Sequence, residues 1–448
     1  MNKSSTKIKA GKEQSGRNEE ISINDDQSMK QTLARFEQTV NLETSAYEYK
    51  ALTRHRGIHS AMDLLRIVMA YSILDYSLRR LGMWCVICGL TDISKTALLG
   101  RLKKCHAWLG YLVARGLTQH KIGFPSPLGL RVKLIDATVV CHPGSKGANW
   151  RLHVGFNLRQ PSLDWVEITD GKGSENLNRF GFTEGDLCIA DRAYALLSQI
   201  ISVITQKAWF IVRVGWFRQP GLKQEEGQAF DIIAWLKNAS ATAAGQPFEA
   251  PVWIPTSTQP YPLRIIARQI PAEQAEEARR RLRKEAAKKG RTIDERSLFA
   301  AGFVMVISNL PASTYSALQV ISLYRFRWQI EMAFKRLKSL TGLDQLRAKD
   351  PLLAVTYLYA KLLGALLLDR FVLMLRSRFP SWFLSQDHPI SLWRTTNLLW
   401  EQVCILVRGQ ISLSMILAVF PRLHRFLCDE PRRRVPQFVT TQIILDAF

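Results

Sequence analysis

Two stretches, VKLIDATVV (residues 132–140) and DLCIADRAY (residues 186–194), decide how this chain folds. Each is an apolar run of strand length, and in each a carboxylate follows the apolar residues, Asp136 in the first and Asp191 in the second. A carboxylate set against an apolar run costs free energy unless a partner meets it. Working outward, WRLHVGFNL (150–158) and DWVEITDG (164–171) read as further strands, ALLSQIISVITQ (195–206) as a helix and AWFIVRVG (208–215) as another strand. Successive strands followed by a helix and strand predict a mixed α/β sheet.

The pattern then breaks. Residues 217–300 are turn-rich around GQPFEAPVWIPTSTQPYP, pass into the basic helical run EQAEEARRRLRKEAAKKGR and return to a strand at AGFVMVIS (301–308). The strands on both sides are apolar enough to share one core, so this stretch reads as an insertion. A long helix is expected from about Ser313 to Leu340, with an all-helical chain beyond it. The expected organisation is a disordered leader (1–30), a helical domain (31–125), the first part of the core (126–216), the β-rich insertion with its basic helix (217–300), the second part of the core (301–375) and a helical C-terminal region (376–448). In residues 91–116, Thr91 or Asp92 can cap a helix whose face carries Leu98, Leu102, Cys105 and Leu109. Lysines and arginines are interleaved with that face, which suits either a solvated surface or DNA binding.

The 448 residues carry a net charge of +23, with 47% hydrophobic and 10% aromatic residues. That composition excludes a disordered basic tail protein and points to a folded chain with a polyanionic partner. Residues 131–215 are close to neutral, and the flanks hold the surplus. Seven cysteines at irregular spacing do not make a disulfide framework and argue for a reducing, cytoplasmic setting. Cys85 and Cys88 read as packed thiols. The first twenty residues hold no apolar run, so no secretory signal is expected. The most apolar stretch, residues 351–375, is interrupted by Lys361, Asp369 and Arg370 and reads as a buried helix, with a membrane span as the alternative.

The segment LYRFRWQIEMAFKRLKS (323–339) carries the remaining chemistry. At about 100° per residue on one helix, Arg327, Glu331 and Lys338 fall within about 60° of Tyr324, beside an apolar stripe of Leu323, Ile330, Phe334 and Leu337. Alone, such a stripe is a structural ion-pair ladder. Joined to Asp136 and Asp191 it offers three carboxylates, enough to hold two divalent cations for phosphoryl transfer.

Three motifs in order, Asp136-Ala-Thr138, Asp191-Arg-Ala-Tyr194 and Tyr324-x2-Arg327-x3-Glu331-x6-Lys338, resemble those of the DDE transposases of bacterial insertion sequences, specifically the insertion-sequence-four family with its Tyr-Arg-Glu-Lys signature. The resemblance covers roughly residues 90–370. It implies an RNase-H-like mixed-sheet catalytic domain interrupted by a β-rich insertion, with helical N- and C-terminal regions. It further implies cleavage of double-stranded DNA at the inverted-repeat ends of a transposon and strand transfer into target DNA, carried out by a homodimer in the nucleoid without a membrane. Asp136, Asp191 and Glu331 are the implied ligands of two Mg²⁺ ions, for which Mn²⁺ can substitute. Tyr324, Arg327 and Lys338 are the implied phosphate grips. Phe303 stands near the place where some hairpin-forming members stack a flipped base on a Trp, and it equally suits the core. His153, on a strand among apolar neighbours, reads as a structural histidine, Arg213 as an ion-pair partner, and the run Arg279 to Lys284 as an exposed face within reach of DNA. A catalytically inactive end-binding repressor of the same fold and another RNase-H-like nuclease are the competing readings.

Overall fold

The computed structural model describes residues 40–54, 57–119, 129–142, 144–145, 147–157, 162–217, 221–256, 259–379, 391–412, 414–415, 418–420 and 422–423. The expected leader (1–30) lies outside them, as does much of the expected C-terminal region. Helices α1 (Leu42–Glu48), α2 (Ala61–Ile73), α3 (Leu78–Ile87), α4 (Lys95–Lys104) and α5 (His106–Gln119) precede the sheet. Ser94 caps α4 by accepting a hydrogen bond from the Ala97 amide, so the cap falls two to three residues later than Thr91 or Asp92. Leu98, Leu102, Cys105 and Leu109 are all buried on the face their spacing marks.

Strand β1 (Arg131–Val140) contains Asp136. It pairs antiparallel with β2 (Trp150–Asn157), which pairs antiparallel with β3 (Ser162–Asp170). On its other side β1 pairs parallel with β4 (Asp186–Ala190), and β4 with β5 (Trp209–Arg213). A parallel pair needs a crossover, supplied between β4 and β5 by α6 (Leu197–Thr205). The stretch after β5 holds α7 (Ile232–Thr242), the hairpin β6 (Phe248–Ile254) and β7 (Tyr261–Gln269), α8 (Ala272–Lys288) and α9 (Glu295–Ala300). It leads into β8 (Phe303–Ser308), which pairs antiparallel with both β5 and β7. One eight-stranded mixed sheet results, in the order β3-β2-β1-β4-β5-β8-β7-β6.

Side-chain alternation along these strands separates two cores. Leu134, Val154, Leu187, Ile189, Ile211 and Val306 face one way and join the N-terminal helices in a single apolar cluster. Ile135, Cys188, Ala190, Phe210, Val212 and Ile307 face the other way, onto α6 and α7. Asp136 shares the parity of Leu134, and Asp191 that of Leu187 and Ile189. Both carboxylates therefore belong to the first face.

The long helix expected from Ser313 to Leu340 is two helices, α10 (Ala317–Arg325) and α11 (Trp328–Thr341). Its start falls later because Ser316 and Gln319 form a reciprocal capping box. Its interruption comes at Phe326–Arg327, where the amides of Phe326, Arg327, Gln329 and Ile330 bond the carbonyls of Leu323, Tyr324, Phe326 and Arg327, each three residues back. Such i to i−3 bonding tightens the turn, so the four signature residues do not share one straight helical stripe.

Helix α12 (Pro351–Arg378) is long and apolar enough to cross a membrane, yet 78% of its apolar window is buried inside the protein. It runs through the first core, against α2, α5 and α13 (Leu392–Arg408). Its charged interruptions are met locally. Lys361 donates to the Gly342 carbonyl at 2.6 Å, and Asp369 accepts from the Leu163 amide at 3.4 Å.

Candidate active site

The parallel ladder pairs Ile135 with Ala190, so the next step sets Asp136 beside Asp191. Adjacent strands lie about 4.8 Å apart, which brings two carboxylates onto neighbouring strands of one face. Each has a local anchor. Asp136 accepts from the Ala137 amide at 2.8 Å. Asp191 caps the short 3-10 turn Arg192–Tyr194, accepting from the Ala193 amide at 2.8 Å.

Electrostatically the pair is in tension. Burial pushes the Asp136 carboxyl up to about 7, against the opposing Ala137 amide, and the charges of Asp191 and Glu175 push the same way. The Arg327 guanidinium is the cation that opposes them.

Arg327 stands at the α10–α11 junction and forms an ion pair with Glu331 at 2.5 Å. One arginine thus pairs with the helix-borne Glu331 and acts electrostatically on the strand-borne Asp136. Tyr324 is buried in the last turn of α10. Its hydroxyl lies beside Arg327 without a well-formed hydrogen bond, and burial raises its pKa. Lys338 sits two turns beyond Glu331 on α11, where its carbonyl accepts from the αL cap residue Gly342.

The structure thus brings Asp136, Asp191, Tyr324, Arg327 and Glu331 to one end of the β1–β4 ladder. Phe303 is not among them. It is 5% exposed, on the opposite sheet face, packed edge-on against Phe248 and tilted against Phe299. Its surroundings are those of a core side chain, and it also lines, together with Asp191, a cleft of ≈ 1080 Å³. Arg192 and Arg213 line the same cleft, as do the exposed aromatic Phe217 and the α8 residues Glu277, Arg281 and Glu285. The basic run of α8 is largely matched within its own helix, since Arg279 and Arg283 pair with Glu276, and Arg280 and Arg281 with Glu277. His153 is fully buried on β2, with Nε2 3.0 Å from the Thr169 hydroxyl. Burial lowers its pKa to about 4.

Two residues at this end were given no role by the sequence, Glu175 outside any motif and Tyr194 at the end of Asp191-Arg-Ala-Tyr194. Glu175 lies in the turn between β3 and β4, paired to Arg151 at 3.4 Å, and Tyr194 ends the turn that Asp191 caps. The polar cluster GSEN before Leu177 marks a turn in the sequence, but nothing in it says that the turn folds back toward Asp191. Among the described residues no group of three or more His, Cys, Asp or Glu side chains is gathered tightly enough to hold one metal ion. Asp136 and Asp191 are adjacent, whereas Glu331 is engaged by Arg327.

Residues 127–368, more than half the chain, match the family model described as Transposase DDE domain. The InsL protein of insertion sequence element IS186A from Escherichia coli strain K12 is 38% identical over 348 residues, covering 76% of this chain and 92% of its own length. The transposase for insertion sequence element IS421, also from Escherichia coli, is 38% identical over 349 residues with the same coverage. A cryo-EM structure of the piggyBac transposase synaptic complex with hairpin DNA aligns over 94% of this chain and 90% of its own, at 9% identity and a TM-score of 0.46. The chain belongs to the DDE transposases of bacterial insertion sequences, enzymes of DNA transposition that cleave DNA and transfer its strands. That family generally uses divalent metal ions.

Proposed function

We propose that Asp136, Asp191 and Glu331 are the metal-binding carboxylates of this transposase, and that the metal is Mg²⁺, as two ions, with Mn²⁺ able to substitute. The observation that carries the reading is the placement of Asp136 beside Asp191 by strand register, with neither carboxylate in a salt bridge among the described residues. Two adjacent hard oxygen donors, one of them pushed toward neutrality by burial and by its neighbour, suit a hard divalent cation. Glu331 joins them by exchanging its Arg327 partner for the ion. When bound, the cations stabilise the attacking and leaving oxygens of phosphoryl transfer.

The chain's own residues supply the rest. Arg327 presents a planar fork that fits a phosphate once Glu331 releases it, Lys338 a point charge, and Tyr324 a hydroxyl donor. The substrate is double-stranded DNA at the inverted-repeat ends of the element, and the freed 3′-OH attacks target DNA. The protein works as a homodimer on paired ends, in the cytoplasm at the nucleoid. The five strands β3-β2-β1-β4-β5 form the RNase-H-like core, the hairpin β6–β7 and α8 belong to the insertion (217–300), and the helices before β1 form the DNA-binding region (31–125). The Arg192 and Arg213 wall of the cleft adds phosphate contacts.

The test is a nicking assay on a duplex carrying the element's own terminal repeat. With Mg²⁺ the wild type cleaves, and Asp136→Asn, Asp191→Asn and Glu331→Gln each bind the duplex without cleaving it. Retained cleavage in any one of them removes that residue from the metal set.

A further inference from the structure

The turn between β3 and β4 brings a fourth carboxylate to the Asp136–Asp191 end of the ladder. Its backbone is fixed by a buried amide. Gln199 on α6, 1% exposed, donates to the Glu175 carbonyl at 3.3 Å and accepts from the Leu177 amide at 3.1 Å. The Glu175 side chain is half-buried, lies within electrostatic reach of both Asp136 and Asp191, and its counter-ion Arg151 is held only at 3.4 Å. As a mere ion pair with Arg151, Glu175 would explain the contact but not the company it keeps.

An independent feature points to a missing polar partner here. Tyr194 is fully buried, its hydroxyl has no hydrogen-bond partner, and the charged groups around that hydroxyl are Asp136, Glu175 and Asp191. An unpaired buried hydroxyl costs about 1–3 kcal/mol, so its persistence beside three carboxylates marks a place where an ion's hydration shell supplies the bond. The Nε of Arg151, the residue paired to Glu175, is a second buried donor without a hydrogen-bond partner. Mg²⁺ gives up its waters reluctantly and is held through some of them. The looseness of the set, too open for three direct ligands to one ion, fits that mode.

We propose that Glu175 belongs to the cation site with Asp136 and Asp191, holding a bound divalent cation through one of its waters, and that the Tyr194 hydroxyl hydrogen-bonds within the same hydration shell. This rests on Asp136 and Asp191 being metal ligands. Glu175 is accordingly a positioning residue, and groups of this kind tune metal affinity by about 10–100-fold.

The test is titration of the full-length chain with Mn²⁺ alone, following free Mn²⁺ by electron paramagnetic resonance, with the Tm of each variant as the check on folding. Glu175→Gln weakens Mn²⁺ binding by roughly 10–100-fold, Tyr194→Phe weakens it by less, and Asp136→Asn abolishes it. If Glu175→Gln does not fold, Glu175→Asp, which keeps the charge but withdraws it by one methylene, takes its place and weakens binding partially. Wild-type affinity in the Glu175 and Tyr194 variants, with binding lost in Asp136→Asn, overturns the inference and leaves the parent reading standing. Wild-type affinity in Asp136→Asn overturns both.

Discussion

The two ends of the β1–β4 ladder carry the same residue type and treat it in opposite ways. At the amino end, Asp186 is fully buried, yet Lys133 and Arg131 on the neighbouring strand each reach it at 2.8 Å, and the Thr183 amide and hydroxyl add hydrogen bonds. Burial pushes that carboxyl up, but the Lys133 ammonium, the Thr183 amide and Arg131 outweigh it and hold its pKa below the ordinary value. At the carboxyl end, burial raises the Asp136 pKa to about 7, and the neighbouring Asp191 carboxylate pushes the same way. One carboxylate is finished by the fold. The other has no such partners, and perturbed carboxylates of that kind cluster at functional sites, which is what the proposed metal role of Asp136 draws on.

Substitutions break this contrast in a definite order. The largest effect belongs to Asp136→Asn and Asp191→Asn, which lower the rate of end cleavage by about 10³-fold or more, equivalent to about 4 kcal/mol. Measured in EDTA, Asp136→Asn at the same time raises Tm by a few degrees, because it removes a buried charge that repels its neighbour. Asp186→Asn does the reverse. It leaves Lys133 without its partner and costs about 3 kcal/mol of stability in denaturant unfolding, while the cleavage rate per folded molecule stays at the wild-type value. Equal effects of the two substitutions on stability would erase the distinction.

Glu331→Gln separates activity from stability on the helix. Cleavage falls by about 10²-fold or more, but Tm moves little, since the Arg327 pair is partly exposed and such pairs contribute about 0–1 kcal/mol.

The pH dependence sharpens the comparison further. In metal-free protein, Asp136 binds its proton more tightly folded, at about 7, than unfolded, at about 3.9. Its penalty is therefore absent below pH 4 and grows as pH rises through 7. Asp186, held down in the folded state, contributes stability above about pH 4 that is lost on acidification. The Tm difference between Asp136→Asn and wild type should thus widen from pH 5 to pH 8, whereas that of Asp186→Asn shrinks only as the pH falls toward its folded value. Gly342→Ala is the smallest change. At φ +60° with Lys361 Nζ 3.1 Å from the added Cβ, it costs about 1 kcal/mol in denaturant unfolding and loosens the cap beyond Lys338.

How far these features could be read in advance depends on the range of the interaction that sets them. Strand periodicity is local, so β1, β2, β3, β4 and β5 were legible, and so were Asp136 and Asp191 as carboxylates that apolar runs do not tolerate alone. Their adjacency is a matter of register between strand positions 55 residues apart, and a one-residue slip would put one of them on the other face. The break at Phe326–Arg327 was invisible to a wheel that assumes a constant 100° step. Phe303 shows the same limit, since an aromatic at the start of a strand has no sign of which face its ring takes until Phe248 and Phe299 close over it. The turn at Glu175 carried no apolar period at all.

By itself, then, the sequence determined the strand-forming runs, the basic balance of +23, and the motif order that ties Asp136, Asp191 and Glu331 to one family, because each depends on residue type and short spacing. Tertiary structure alone decided that the hairpin β6–β7 extends the sheet through β8, that Arg327 pairs with Glu331 while acting on Asp136, and that Glu175 and Tyr194 come within electrostatic reach of the carboxylates. Those are contacts between segments far apart in the chain. Only packing brings them within the few ångströms over which charges and hydrogen bonds act.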